Sequence, residues 1–565
     1  RTVEKFQTYE MEASPWNLVD LFENKEKLGL EIDYDPMAMP LVEELRNDLK
    51  VYNKAHKFKV CSQEEINEAW EEEGFPFLFP KIKADIHQKR MVLWLLAVKR
   101  GGCYMEQGTG KTPVGILAIG KLLMSGEIKR PLILAPLSLL GNTAWYKDLE
   151  QFSEYKPVDL RENKFAVRDG SFNFINYDKL QSWCYHTTKT ATKAYDENNY
   201  FEKCKFDAIY YDESSSLIGH ESYRTKAFLK IVRHAKYVML ASGTPAPTNI
   251  FQIWAQMKAL GSVLGDHYSA FEQRYGFQRS VGPVMRWFPR ADSEKEVRRR
   301  VDRATYFIKR EDAIDLPERK YVNIDVELSE EHRKLYDQVE SDFFAAVDGY
   351  DEFGNELSGH ARVTHEATMR IKLLQITSGF VTVVDDYGKP QRISLPWNAK
   401  LDKLNEIVKE HLTADKSNNV IVWCCFRWEV EKIYSTYKDI AVFVYGGMSK
   451  DKRDTALNKW LNDSECRMMI SIPASTKFGH TWLKANASIY FSGTEDFQNY
   501  SQSRDRNYRR GQTREVTEYK LISKDTVEKR IWIAISNKKK LDKFLKDYAI
   551  ERNAQKRLSQ QSTQG

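Results

Sequence analysis

Residues 105–112 read MEQGTGKT, between the apolar stretch MVLWLLAV (91–98) and the helix-like PVGILAIGKLL (113–123). Gly108 and Gly110 permit a tight turn whose backbone N–H groups converge on phosphate oxygens. Lys111 can reach the β- and γ-phosphates of a nucleotide, and the Thr112 hydroxyl suits a Mg2+ shell. The N-terminus of the following helix adds a partial positive charge. Gly108, Thr109, Gly110, Lys111 and Thr112 are therefore the candidate ATP-binding residues. The strict form of this loop has Gly at position 105, where this chain has Met.

The surrounding texture fits such a loop. From residue 84, short apolar strands alternate with amphipathic helices: PLILAPL (131–137), FNFIN (172–176), FDAIYYD (206–212) and YVMLASG (237–243). That alternation predicts a parallel α/β sheet with its function at the carboxyl ends of the strands. Residues 246–318 and 327–375 read as helices and basic turns, the second stretch broken by a Gly-rich segment at 348–360. A second α/β run follows with NVIVWCCF (419–426), IAVFVYGG (440–447), CRMMISI (466–472), ASIYFSG (487–493) and EVTEYKLI (515–522). The chain thus reads as two α/β lobes with helical material between them.

Three further groups of residues complete the candidate site. Gln88, in KADIHQKR, lies about twenty residues before the phosphate loop, where an amide can read the two-faced edge of adenine. Asp212 and Glu213 end the strand FDAIYY about a hundred residues after Lys111, and a parallel sheet can bring both strand ends to one edge. The chemistry assigns Asp212 to the Mg2+ shell and Glu213 to the attacking water. Ser214 and Ser215 lie past the carboxylates, where they can tie the state of the nucleotide to neighbouring loops. In the second lobe, QSRDRNYRRGQ (502–512) places Arg506 and Arg509 three apart, on one face if the segment is helical. Arginines of this kind stabilise the negative charge of phosphoryl transfer when a cleft closes.

Bulk properties bound the rest. The 565 residues exceed one core, and 42% hydrophobic residues exclude global disorder. The net charge of +6 is unevenly spread. Residues 10–75 carry 17 acidic and 7 basic side chains, net −10, whereas residues 504–565 carry 17 basic and 8 acidic, net +9. The C-terminal end suits phosphates and the N-terminal part does not. Seven cysteines with no C-x-x-C argue against a disulfide framework or a zinc module, and for a reducing compartment. No apolar run is long enough for a membrane span. We expect a cytoplasmic protein (nuclear in a eukaryote), monomeric, with no signal peptide.

Together these motifs resemble the Swi/Snf-type ATPases of helicase superfamily two. QSRDRNYRRGQ is similar to that family's Q-A-x-D-R-x-x-R-x-G-Q signature. PLILAPLSLLGNTAWYKDLEQF (131–152), LASGTPAPTNIFQIWAQMKAL (240–260), FIKREDAIDLPERK (307–320), MRIKLLQITSGF (369–380) and KDTVEKRIWIAISNKKKL (524–541) resemble further family segments in the right order. The resemblance spans residues 80–545 and implies two RecA-like parallel-sheet lobes. It implies ATP and Mg2+ as cofactors, Gln88 as the adenine reader, and Arg506 and Arg509 as arginine fingers. It further implies that Ser242, Thr244 and Gln502 couple the cleft to nucleic acid. The implied division is an acidic N-terminal accessory region (1–75), lobe one (76–320) with a helical protrusion at about 246–318, a linker and second helical protrusion (321–400), lobe two with a brace helix (401–545), and a polar tail (546–565). The chain departs from the family at DESS, in place of DEAH, and at PASTKFGHTWLKA (473–485), a loop that is usually Gly-rich. DESS in a compact chain resembles phage or bacterial members.

The function implied is an ATP-driven motor that translocates on double-stranded DNA, remodelling DNA or displacing bound proteins. A strand-separating DNA or RNA helicase and a nucleotide-gated nucleic-acid-binding module with weak ATPase activity are the alternatives. Basic stretches such as EVRRRVDR (296–303) are candidate phosphate contacts, and the acidic N-terminal region is a candidate brake or protein-docking module.

Overall fold

The computed structural model of the protein describes residues 43, 50 and 54–536, except 142–143, 188–192, 244, 246–249, 262–263, 266, 282–283, 291–292, 343, 351–355, 363–365, 386–388, 397, 479–481 and 495. Thr244, most of the acidic N-terminal region and the polar tail lie outside the described residues. The chain forms two compact units, Arg1–Ile314 and Asp315–Gly565.

The first unit holds β1 (Arg100–Met105), β2 (Pro131–Ala135), β3 (Pro157–Asp159), β4 (Phe172–Asn176), a small hairpin of β5 (Tyr185–Thr187) and β6 (Lys193–Tyr195), β7 (Ala208–Tyr211), β8 (Tyr237–Ala241), a second hairpin of β9 (Gly276–Val281) and β10 (Val284–Pro289), and β11 (Thr305–Ile308). Seven strands pair in the order β11-β1-β8-β7-β2-β4-β3, all parallel. β2, β4, β7 and β8 are buried along their whole length, as a sheet covered on both faces requires. Successive residues point to opposite faces. Leu132, Leu134, Ile209, Tyr211, Val238 and Leu240 enter one core. Ile133, Ala135, Ala208, Tyr210, Met239 and Ala241 enter the other.

The sequence showed neither β1 nor β11. β1 is short and carries two glycines, and MVLWLLAV before it belongs to the helix Ile86–Val98. Residues 246–318, expected as a helical protrusion, contain helices but also the β9–β10 hairpin and β11, which extends the sheet beside β1. Part of EVRRRVDR is buried. Its helix Ser293–Ala304 buries Val297, Arg300 and Arg303.

The N-terminal boundary expected at residue 75 also differs. The helix Gln63–Glu72 is closed by a capping box between Ser62 and Glu65. It buries Ile66 and Trp70 in the core that also holds Met91, Trp94 and Leu117. Trp70 stacks on Phe75 with ring centroids 3.9 Å apart. Lys59 Nζ donates to the carbonyls of Asp302 and Thr305 at 2.7 and 2.6 Å, joining this segment to the end of the unit. The acidic side chains 71–73 are exposed, so the charge run is the solvated face of a core helix.

The second unit holds β12 (Arg319–Val326), β13 (Phe344–Tyr350), β14 (Glu356–Arg362), β15 (Phe380–Val384), β16 (Pro390–Ser394), β17 (Val420–Trp423), β18 (Ala441–Val444), β19 (Met468–Ser471), β20 (Ala487–Tyr490) and β21 (Val516–Ser523). Six strands pair in the order β12-β21-β20-β17-β19-β18, all parallel. The last five are the strands expected from the sequence. The expected second helical protrusion has helices, Glu330–Asp342 and Glu366–Thr377, but also a closed barrel of β13 to β16. Of the Gly-rich break, residues 348–350 belong to β13 and 356–360 to β14, which pair antiparallel, so the described part is strand rather than a break between helices. The helix Val527–Ser536 buries Ile531, Trp532 and Ile535 in the lobe core. Its expected extension to residue 541 lies outside the described residues.

Trp70→Ala should destabilise the first lobe by about 3–5 kcal/mol, the usual cost of truncating a buried Trp. Thermal unfolding of the full chain measures this. An unchanged midpoint would mean that residues 63–75 are dispensable to the core.

Candidate active site

The phosphate loop leaves β1 at Met105 and enters the helix Lys111–Met124. Met105 is fully buried and ends the strand inside the core, so the residue in place of the expected glycine serves packing rather than the turn. Gly108 and Gly110 have φ of 85° and 90°, in the left-handed region that side chains resist. A Cβ on Gly110 would lie 2.0 Å from Gln88 Nε2. Gln88 Nε2 donates to Thr109 O at 3.3 Å, and its Oε1 accepts from Asp85 N at 3.0 Å. Each amide atom keeps one further hydrogen-bonding site. His87 Nε2 donates to the same Thr109 carbonyl at 2.9 Å. Lys111 Nζ donates to Met105 O at 3.1 Å, folded over the loop. Arg310 closes the far side, its Nε donating to Gln107 O at 3.1 Å and its N–H to the Glu106 carboxylate at 3.1 Å.

The acidic box follows β7, separated from β1 in the sheet by β8 alone. Asp212 is buried, at 4% exposure, and its Oδ2 accepts from Trp145 Nε1 at 2.9 Å. Burial pushes its pKa up, and the Lys111 charge and the Trp145 hydrogen bond oppose that rise. Tyr210 Oη donates to Lys111 O at 2.9 Å, joining β7 to the start of the phosphate-loop helix. Glu213 has φ of 49°, a left-handed conformation in a non-glycine residue. Its N–H donates to Asp212 Oδ1 at 3.0 Å, and Tyr177 Oη donates to Asp212 O. Strain of this kind persists only where neighbours hold it.

The two serines after the carboxylates are fully buried. Ser214 Oγ donates to Gln256 Oε1 at 2.8 Å, and Tyr104 Oη donates to the same oxygen at 2.9 Å. Gln256 Nε2 donates to Pro245 O at 2.7 Å. Pro245 lies in SGTPAP (242–247), the loop that follows β8. Ser242 N donates to Cys103 O at 3.2 Å. A Cβ on Gly243 would lie 3.4 Å from both Gln107 N and Met105 O. The acidic box, the SGTPAP loop and the phosphate loop therefore meet at one edge of the first sheet. Sequence reasoning missed Gln256, Trp145, His87 and Arg310. His87 adjoins Gln88, and the other three lie in segments that resemble the family, but only contacts across the fold show what each side chain holds.

In the second lobe, Gln502 lies on the helix Phe497–Arg504, but Arg506 and Arg509 do not. The helix ends at Arg504 and the chain continues in turns, so the expectation that they share a helical face is corrected. The turns are pinned by backbone bonds from Trp482 N to Arg506 O at 2.8 Å and from Gln512 N to Arg509 O at 3.0 Å. Gln512 Nε2 donates to the carbonyls of Leu483, Ala485 and Asn507. Arg506 is buried and Arg509 half-buried. Glu518, fully buried, accepts from Arg319 and Tyr500 at 2.7 Å and from Arg504 at 3.2 Å. Burial raises its pKa, but Arg319, Arg504 and Lys520 outweigh that and hold it below the usual carboxylate value.

The model of the SNF2-related domain matches residues 87–375, 289 of the 565 residues. The chain belongs to the SNF2-related family. The helicase conserved C-terminal domain matches residues 399–511. As an SNF2-related protein the chain is an ATP-using enzyme of the superfamily-two helicase and translocase class. A protein of Acyrthosiphon pisum secondary endosymbiont phage 1, p41, is 25% identical over 81% of this chain and 97% of its own length. The ATP-dependent helicase MG018 of Mycoplasma genitalium is 24% identical over 81% of this chain and 42% of its length. The helicase/translocase YwqA of Bacillus subtilis is 24% identical over 81% and 48%. This SNF2-related chain thus spans less than half the length of the two bacterial relatives. The SWI2/SNF2 ATPase core of Sulfolobus solfataricus in complex with dsDNA, 21% identical, covers 81% of this chain and 91% of that one at a TM-score of 0.37. Among the described residues no helix is long and apolar enough to cross a membrane, and no cysteine forms a disulfide.

Gln256→Leu strips the Ser214 and Tyr104 hydroxyls and the Pro245 carbonyl of a buried partner, and should cost about 1–3 kcal/mol. Ser214→Ala, which leaves Gln256 paired to Tyr104, should cost about 1 kcal/mol. Thermal unfolding of both single variants and the double variant should show the double costing less than the sum.

Proposed function

We propose that the chain is an ATP-driven translocase that tracks double-stranded DNA, remodelling it or displacing bound proteins. The observation that carries this reading is the Ser214–Gln256–Pro245 chain of hydrogen bonds. It runs from the acidic box to a loop that contains the candidate coupling residues Ser242 and Thr244.

In this reading the loop 108–112 cradles the phosphates, Lys111 neutralises the β- and γ-phosphates, and Gln88 reads adenine with its two remaining hydrogen-bonding sites. The fit to a phosphate is physical: at Gly110 neither the backbone angle nor the space admits a side chain. Thr112 and Asp212 would hold Mg2+, which takes only one or two protein oxygens and draws the rest from phosphates and water. That ion supplies neutralisation of phosphate charge. Glu213 orients the attacking water and accepts its proton. Arg506 and Arg509 stabilise the charge of the transferred group when the lobes close, and Gln502 helps couple closure to DNA. Phosphate-backbone contacts with little base readout suit a tracking motor.

Glu213→Gln should lower duplex-stimulated kcat about 10²–10⁴-fold with ATP affinity nearly unchanged. Arg506→Ala should lower it about 10³-fold or more. Ser214→Ala should keep basal turnover and lose much of the stimulation by duplex DNA. ATPase assays with single-stranded, duplex and forked DNA and with RNA decide the substrate. Absence of turnover with every nucleic acid would end the motor reading, and unwinding of forked DNA would favour the helicase.

A further inference from the structure

The hairpin β9–β10 carries a surface that neither the ATP site nor the lobe core uses. Residues 276–290, GFQRSVGPVMRWFPR, hold three arginines and no carboxylate. The antiparallel register sets Arg279 opposite Arg286, Phe277 opposite Phe288, and Val281 opposite Val284. Because side chains alternate along a strand, Phe277, Arg279, Val284, Arg286 and Phe288 share one face. The Phe277 and Phe288 rings pair with centroids 6.1 Å apart. Phe277 is 45% exposed and Val284 53% exposed, and both arginines are exposed. Trp287, on the opposite face, packs against the lobe core.

Like charges directly opposite on paired strands destabilise a hairpin. Among the described residues neither Arg279 nor Arg286 has a carboxylate partner. A two-stranded sheet is also marginal by itself, so this arrangement needs a firm root, and it has one. A Cβ on Gly276 would meet the Phe251 ring at 2.7 Å and Glu272 O at 2.8 Å, so the backbone there is closely packed. Arg290 closes the base, its N–H donating to Tyr275 O at 3.0 Å and its Nε to Gly276 O at 2.9 Å. The third arginine is thus spent on the root, and the other two face solvent side by side.

We propose that this hairpin face is a nucleic-acid docking surface. Arg279 and Arg286 bind adjacent phosphates of the backbone, and Phe277 and Val284 pack against sugar and base edges. Two guanidiniums side by side match the bidentate, closely spaced acceptors of a phosphodiester chain, and the bound phosphates relieve the repulsion between them. The aromatic ring beside the arginines is the usual companion of such a site. None of its residues belongs to the SGTPAP loop or the phosphate loop. It rests on the reading of the chain as a nucleic-acid motor, and adds a grip that contributes affinity and not chemistry.

The test uses the full chain as wild type, Arg279→Ala/Arg286→Ala and Arg279→Lys/Arg286→Lys. Fluorescence anisotropy with a labelled duplex, without nucleotide, is measured across a salt series. Loss of two phosphate contacts should flatten the slope of log K against log salt by about 1.8. It should weaken binding at least about tenfold at low salt, and the Lys variant should keep most of both. Basal ATPase and saturated kcat should stay at the wild-type level while the DNA concentration for half-stimulation rises. An unchanged slope in the Ala variant overturns the docking surface and leaves the motor reading standing. Wild type that binds duplex with this slope change but shows no stimulated turnover overturns the motor reading alone. Absence of any duplex binding overturns both. An equal loss of binding to polyglutamate would make the face a site for acidic proteins, and would also overturn the proposal.

Discussion

A carboxylate held out of water beside a lysine organises the first lobe. Asp212 is buried at the end of β7, where desolvation raises its pKa and the Lys111 charge acts against that rise. An uncompensated buried charge is expensive, so each neighbour of Asp212 is constrained. Trp145 must reach it from the helix Ala144–Phe152. Tyr210 must hold the N-terminus of the phosphate-loop helix against β7. Glu213 is kept in a left-handed backbone conformation by the bonds to Asp212 before it and by Ser216 N donating to its own carbonyl. The phosphate loop and the acidic box, about a hundred residues apart in the chain, are tied together by this requirement.

A similar requirement explains Ser214. A small hydroxyl at 214, fully buried, needs a partner, and Gln256 supplies it while also holding Tyr104 and Pro245. The polar pair Ser214–Gln256 is therefore a structural connection between the acidic box and the next strand-end loop. The second lobe has its own version of a buried, fully compensated charge. Glu518 draws Arg319 from β12, Tyr500 and Arg504 from the helix Phe497–Arg504, and its own strand β21 into one network. Arg504, the last residue of that helix, is held in this network, and the turns bearing Arg506 and Arg509 follow it.

Much of the candidate site was legible because its signals are local. Glycines at 108 and 110 announce a left-handed turn, and Asp-Glu after an apolar strand announces a strand-end site. The strands of both sheets that are buried on two faces were legible as continuous apolar runs. What escaped were elements whose stability comes from their surroundings. β1 carries two glycines in six residues, and β12 is a largely exposed edge strand. The barrel strands β13 to β16 interrupt a stretch that reads as helical. The helix Gln63–Glu72 has so many acidic residues that it reads as an appendage, although Ile66 and Trp70 seat it in the core.

The sequence by itself determined the class of the two sheets, their order along the chain and the residue types at the nucleotide site, because these depend on backbone freedom and on periodicity within short segments. Tertiary structure alone decided which side chains meet those residues. Trp145, Gln256 and Arg310 lie tens to hundreds of residues from the groups they hold; their segments resemble the family, but nothing in those segments shows which group each side chain meets. It also decided that Val297, Arg300 and Arg303 of EVRRRVDR are buried while Arg279 and Arg286 stand exposed across a hairpin. A basic run shows only that charge is present. Whether that charge is buried, paired or offered to solvent depends on what the rest of the chain packs against it.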